Sequence, residues 1–328
     1  MHEFLLKKWR WLLTILVLAV ISGGLCWWQR ARAAQQFVQS KTPTFFFHGY
    51  GSSRHAEEHM ANAAKRAGAT NTIIWANVDR TGKVTFHGQI KANAINPIIE
   101  VNYENPRETN YHTDGQWAFN VLSAAKQKWG FKKMNLVGHS MGNMDIMYCL
   151  LDHPNSQQLP KLQKQVDIAG HFNGLNGENQ ASSKLAADGK PAVTNRFYRE
   201  LTKLRTTYPT GVKILNIYGN LQDGSNSDGT VPNNSSKSLR YLVSPVAKSY
   251  TEHEIKGARA QHSKLHSNSQ VDSLLINFLR RSGGFGLLWG DKDDWVKYMR
   301  LNCSYKLSTY LAAGIPVIVR SDTPEVEK

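Results

Sequence analysis

A chain of 328 residues with 41% hydrophobic and 20% charged residues holds enough apolar material for a large buried core, which excludes wholesale disorder. Forty Lys and Arg against 25 Asp and Glu leave a formal net charge of +15, which implies an anionic neighbour. The basic residues are scattered and carry no nucleic-acid module signature, so that neighbour is read as a membrane surface or an anionic wall polymer rather than nucleic acid.

The chain begins with Lys7, Lys8 and Arg10 ahead of "WLLTILVLAVISGGLCWW", Trp11 to Trp28, which holds no charged residue. Eighteen such residues make about 27 Å of helix, close to the thickness of a bilayer core. Trp9, Trp11, Trp27 and Trp28 mark the ends, where indoles favour the interface. Residues 1–34 are therefore expected to be a transmembrane signal anchor with the remainder outside the cell. The alternative is a signal peptide cut near Ala31–Ala34, which would leave a secreted protein.

From Lys41 short apolar runs alternate with amphipathic stretches, the pattern of a mostly parallel sheet with helices on both faces. Strands are expected at "TFFFHG", "TIIWANV", "KVTFHGQI", "PIIEVNYE", "MNLVG", "KQVDIAG" and "VKILNIYGN". Helices are expected from Arg54 to Ala67, Thr109 to Trp129, Met141 to Leu151 and Val271 to Arg281, with Gly68 and Gly130 as C-caps. The polar excursion from Phe172 to Arg205 reads as an insertion over the sheet edge, a lid or an ordinary surface loop.

The chemistry is carried by "MNLVGHSMGN". A nucleophile on a tight strand-to-helix turn has strained backbone, and side chains two residues to either side would collide with it. Gly138-His139-Ser140-Met141-Gly142 satisfies that demand, with an apolar strand before it and a helix-forming run after it. A serine hydroxyl needs a base, and the base an acid, in the chain order Ser, Asp or Glu, His. Asp228 follows the strand "VKILNIYGN" in a Gly/Ser-rich loop, with Asp223 as a rival. His262 stands between the last strand candidate and the closing helix, with His266 as the alternative. The oxyanion hole would use the N–H groups of Met141 and Tyr50, with Gly49 and Gly51 keeping the loop tight and His48 supporting it.

The stretches "FFFHGYGSS", "MNLVGHSMGN", "SDGTVP" and "QHSKLH" resemble the α/β-hydrolase superfamily and, more narrowly, the DUF915 family of exported Gram-positive cell-surface hydrolases of unassigned function. The resemblance runs from about residue 42 to 281. It implies a lipase- or esterase-like fold with a Ser-Asp-His triad on Ser140, Asp228 and His262, and an N-terminal membrane segment is typical of the family. The tail, residues 283–328, resembles instead a fragment of a two-Rossmann-domain bacterial glycosyltransferase through "YKLSTYLAAGIPVIV". The acceptor domain and most of the donor domain of such an enzyme are missing, so transferase activity is not expected and a fusion or truncated remnant is.

"HAEEH", with His55 and His59, has Ala56 where a zinc-protease helix needs Glu, so a solvated helix face is expected instead of a metal site. Cys26, Cys149 and Cys303 share no metal-ligand spacing. No Walker loop or dinucleotide fingerprint occurs, and no cofactor is implied. The resulting expectation is an exported serine hydrolase acting on an ester or related acyl bond. A non-catalytic surface protein that keeps the scaffold and binds anionic wall polymer or lipid is the alternative.

Overall fold

The computed structural model describes residues 37–280, with isolated positions at Trp11, Gly23 and Gly24. The expected membrane anchor therefore lies almost wholly outside the described residues, and the tail 283–328 lies entirely outside them. Among the described residues no helix is long and apolar enough to cross a membrane.

Eight strands form one sheet: β1 (Thr44–Phe47), β2 (Ile73–Val78), β3 (Val84–His87), β4 (Ile98–Tyr103), β5 (Lys133–His139), β6 (Lys161–Ile168), β7 (Lys213–Asn220) and β8 (Ser249–Lys256). Their order is β3-β2-β4-β1-β5-β6-β7-β8, and every neighbouring pair is parallel except β2 with β3. The main helices are α1 (Glu58–Arg66), α2 (Tyr111–Trp129), α3 (Met141–Asp152) and α8 (Ser269–Arg280). Four short ones, α4 (Arg196–Leu201), α5 (Leu204–Thr207), α6 (Asn233–Lys237) and α7 (Leu239–Val243), lie between β6 and β8.

Burial on both faces explains the unbroken apolar strands. Alternate side chains of β1 serve opposite layers. Phe45 and Phe47 join the core built with α2, α3, α4, α5 and α7, while Phe46 joins the core built with α1 and α8. Helix α2 starts where the Asn110 side chain accepts the N–H of His112 and stops at Gly130, whose φ of 68° suits a residue without Cβ. The helix expected from Arg54 opens differently: a 3-10 turn, Arg54–Ala56, precedes α1, and no side chain caps either element. Arg280 closes the fold at the end of α8. Its buried guanidinium donates to Thr44 Oγ1 and, at 3.0 Å, to Asn96 Oδ1.

The excursion after β6 is tied down at its start. Asn173 Nδ2 donates to the carbonyls of Gln180 (2.7 Å) and Val193 (2.9 Å), and Ser235 Oγ donates to the Gly174 carbonyl (2.7 Å). Phe172, Ala181, Tyr198 and Leu201 from this stretch are buried.

Candidate active site

The residues singled out in the sequence converge at the C-terminal ends of the central strands, where a parallel sheet leaves its crevice. The register sets this up: Phe47, the last residue of β1, lies beside Gly138 of β5, so the loops after both strands leave the sheet side by side.

Ser140 sits between β5 and α3 at φ 52°, ψ −117°, a conformation an L-residue adopts at a cost on the order of 1–3 kcal/mol. Its surroundings hold it there. The Ser140 N–H donates to the Ile168 carbonyl (2.9 Å), and Asn143 Nδ2 donates to the carbonyls of Ser140 and Ile168, both at 2.9 Å. A Cβ at position 142 would lie 2.2 Å from the Phe47 carbonyl oxygen, and one at 138 would lie 2.7 Å from the Asn143 nitrogen. Backbone contact on both sides therefore requires both glycines.

The Ser140 Oγ lies 2.9 Å from His262 Nε2, and His262 Nδ1 lies 2.8 Å from Asp228 Oδ2. A carboxylate can only accept, so Nδ1 carries the proton and Nε2 presents its lone pair to the serine hydroxyl. Asp228 is 1% exposed, and its other oxygen accepts the N–H groups of Thr230 (2.9 Å) and Val231 (2.7 Å). A second bond runs from the His262 N–H to the Asp228 carbonyl, at 2.9 Å. Gly219, at the end of β7, makes this approach possible: a Cβ there would lie 2.1 Å from the Ala260 carbonyl oxygen and 2.9 Å from Asp228 Cβ.

The rival residues lie elsewhere. Asp223 is exposed and spends Oδ1 on its own turn, accepting from the Ser225 N–H (3.0 Å) and Oγ (2.6 Å). His266 shares the 3-10 turn His262–Ser267, but its Nδ1 has no partner among the described residues.

Two histidines frame the site. His48 Nδ1–H donates to the Gly49 carbonyl (2.9 Å), and its Nε2 accepts the Tyr103 N–H (3.4 Å). Burial pushes its pKa down to about 4, so it is a neutral strut between β4 and the loop after β1. His139, which sequence reasoning passed over as the variable residue of the turn, donates from Nε2 to the His262 carbonyl (3.2 Å). Its pKa is driven well below the usual value, by burial first and then by its histidine neighbours. It too is a neutral strut.

The loop after β1 presses on Ser140, since a Cβ at Gly49 would lie 3.1 Å from Ser140 Cβ. Gly49, Tyr50 and Met141 line one recess, and the Tyr50 N–H has no acceptor among the described residues. The zinc-like pair is divided: His55 bonds Glu58 and His59 bonds Asp272, each at 2.9 Å.

Against this geometry, a family model described as an alpha/beta hydrolase of unknown function (DUF915) matches residues 31–282. The chain belongs to the DUF915 family. Among solved structures, this DUF915 chain is similar to the lin2722 gene product of Listeria innocua, at 24% identity and a TM-score of 0.67 over 77% of this chain and 96% of that one. It is also similar to the "putative cell surface hydrolase" of Lactobacillus plantarum, at 20% identity and a TM-score of 0.58 over 80% and 96% of the two chains. Identities this low speak to the fold. Short stretches match Glucosyltransferase 3 of Streptococcus parasanguinis (63% over 38 residues) and of Streptococcus gordonii (60% over 42 residues). These stretches span 11% and 13% of those transferases.

Proposed function

We propose that this DUF915 hydrolase is a serine esterase, cleaving a carboxylic ester or related acyl bond with Ser140 as nucleophile, His262 as base and Asp228 as the acid that orients it. The observation that carries the reading is the continuous line from Ser140 Oγ through His262 to Asp228, with links of 2.9 and 2.8 Å. In the first step Oγ bonds to the carbonyl carbon while its proton passes to His262 Nε2. The carbonyl electron pair becomes an oxyanion, held by the N–H groups of Tyr50 and Met141. Collapse expels the alcohol, which takes the proton from Nε2. Water then attacks the acyl-serine by the same route, releasing the acid and restoring the serine.

Asp228 fixes the tautomer that the first step needs, and its charge balances the imidazolium that forms. The charge-free run Trp11–Trp28 behind Lys7, Lys8 and Arg10 supports a domain held outside the membrane, or secreted after cleavage, and the +15 charge suits an anionic surface there.

Purified wild type should turn over short-chain aryl esters, and Ser140→Ala should abolish that turnover while keeping the folded circular dichroism spectrum. Undiminished turnover by Ser140→Ala would overturn the assignment.

A further inference from the structure

The recess beside the oxyanion position has an unusual lining. Among the residues that line it are His48, Tyr50, Met141, Glu108, Asp114 and Asp145. In a chain of net charge +15, three of these residues are acids, and no Lys or Arg lines the space. His48 adds no charge, because burial keeps it neutral.

The fold builds this acid cluster deliberately close. Asp114 lies in the first turn of α2 and Asp145 early in α3, and the two helices touch through Gly115, where a Cβ would lie 2.7 Å from the Tyr148 carbonyl carbon. Asp145 is 1% exposed and Asp114 4% exposed, yet Asp145 Oδ1, Asp114 Oδ2 and the Tyr103 hydroxyl have no hydrogen-bond partner among the described residues. None of the three acids is paired with a cationic side chain there. The Tyr103 hydroxyl is the one donor among these atoms and can serve a single oxygen, so the two carboxyl groups keep more buried acceptor capacity than donors, which is costly and leaves room for a cationic donor from outside. Burial and the neighbouring Glu108 push Asp114 up to about 7, and burial with Asp114 raises Asp145, as expected of a cluster short of positive charge.

We propose that this recess is the acyl-side specificity pocket and takes a primary ammonium group carried by the acyl moiety, which makes an aminoacyl ester the preferred substrate class. The inference rests on the serine-esterase reading. It concerns the acyl side because the leaving alcohol must meet His262 Nε2, and His262 does not line the recess, whereas Tyr50 and Met141 do. Size agrees: the enclosed part of the recess has room for about one water-sized group, such as an ammonium, and not for a long chain. An ammonium, with donors only, suits the two unpartnered carboxyl oxygens of Asp114 and Asp145. Bare metal fits less well, since among the described residues no group of His, Cys, Asp and Glu is arranged to hold one.

The test compares p-nitrophenyl esters of alanine and isobutyric acid, which differ by ammonium against methyl. An α-ammonium group activates any ester, so the decisive quantity is the change in the kcat/KM ratio between wild type and variant, from which intrinsic reactivity cancels. Asp145→Asn should lower the alanyl-to-isobutyryl ratio at least tenfold. Glu108→Gln, at the half-buried rim, whose amide oxygen can keep the bonds from the Thr109 and Asn110 N–H groups, should lower it several-fold. A ratio unmoved in Glu108→Gln and in folded Asp145→Asn overturns the ammonium pocket while leaving the esterase intact. Activation of isobutyryl turnover by K⁺ or Ca²⁺, abolished in Asp145→Asn, would assign the recess to a metal ion and equally overturn it. If wild type cleaves neither ester and Ser140 resists a fluorophosphonate, the esterase reading itself falls and takes the pocket with it.

Discussion

Asp228→Asn is the sharpest perturbation of the proposed relay, because the structure dictates which way the new amide must face. Oδ1 of Asp228 accepts two backbone N–H groups, from Thr230 and Val231, and an NH₂ there would meet two donors. The amide oxygen must therefore take that place, turning the NH₂ towards His262 Nδ1. Nδ1 then has to accept, the ring proton moves to Nε2, and Nε2 can no longer take the proton of Ser140. The imidazolium also loses its counter-charge. Wrong tautomer with geometry intact costs on the order of 10⁴ in kcat in a serine triad, equivalent to about 5 kcal/mol of barrier. Steady-state kcat on an aryl ester measures it, with thermal unfolding as control, since both bonds to the Thr230 and Val231 N–H groups survive. Asp223→Asn, exposed and confined to its own turn, should leave kcat within a few-fold. A kcat for Asp228→Asn within tenfold of wild type would refute the reasoning.

Ser140→Gly should be inactive yet more stable by about 1 kcal/mol, because φ 52° suits glycine; equal or lower stability in urea unfolding would contradict a strained elbow. His262→Ala should lose turnover, whereas His266→Gln should retain it within tenfold; the reverse pattern would move the base to His266. Glu57 has both carboxyl oxygens buried without partners among the described residues, and burial, then Glu100, pushes its pKa up to about 8. The native state thus binds more protons than the unfolded chain between about pH 4.5 and 8. That stability is present below the unfolded pKa and lost as pH rises through the native one, at up to about 1.4 kcal/mol per pH unit. Glu57→Gln should flatten the fall, gaining on wild type more at pH 8 than at pH 5; parallel stability profiles would contradict it.

Legibility in the sequence followed how local each constraint is. The central strands announce themselves because both faces are buried, as in "TFFF" and "KILNIYGN". Strand β8, "SYTEHEIK", went unread because an edge strand with mostly half-exposed or exposed residues alternates charge rather than apolar bulk. Helices α4 to α7, of four to six residues, are too short to show a period and are held by packing.

In the site, the elbow was legible because all its steric demands fall within five residues. Chain order already favoured Asp228 and His262 over Asp223 and His266, and the distances of 2.8 and 2.9 Å support that proposal. The roles of His139 and Gly219 were hidden, since each is defined by a carbonyl distant in sequence, that of His262 or Ala260. The acid recess was hidden for the same reason. Asp114 and Asp145 look like ordinary helix-surface residues until Gly115 brings their helices together.

In the proposed relay the hydroxyl at position 140 is an activated nucleophile. Reaction of the folded protein with a fluorophosphonate, followed by peptide mass mapping, tests it most directly. The expected result is a single phosphonylated residue, Ser140, with labelling lost in His262→Ala; a label on another serine, or none on protein that still hydrolyses esters, would contradict it.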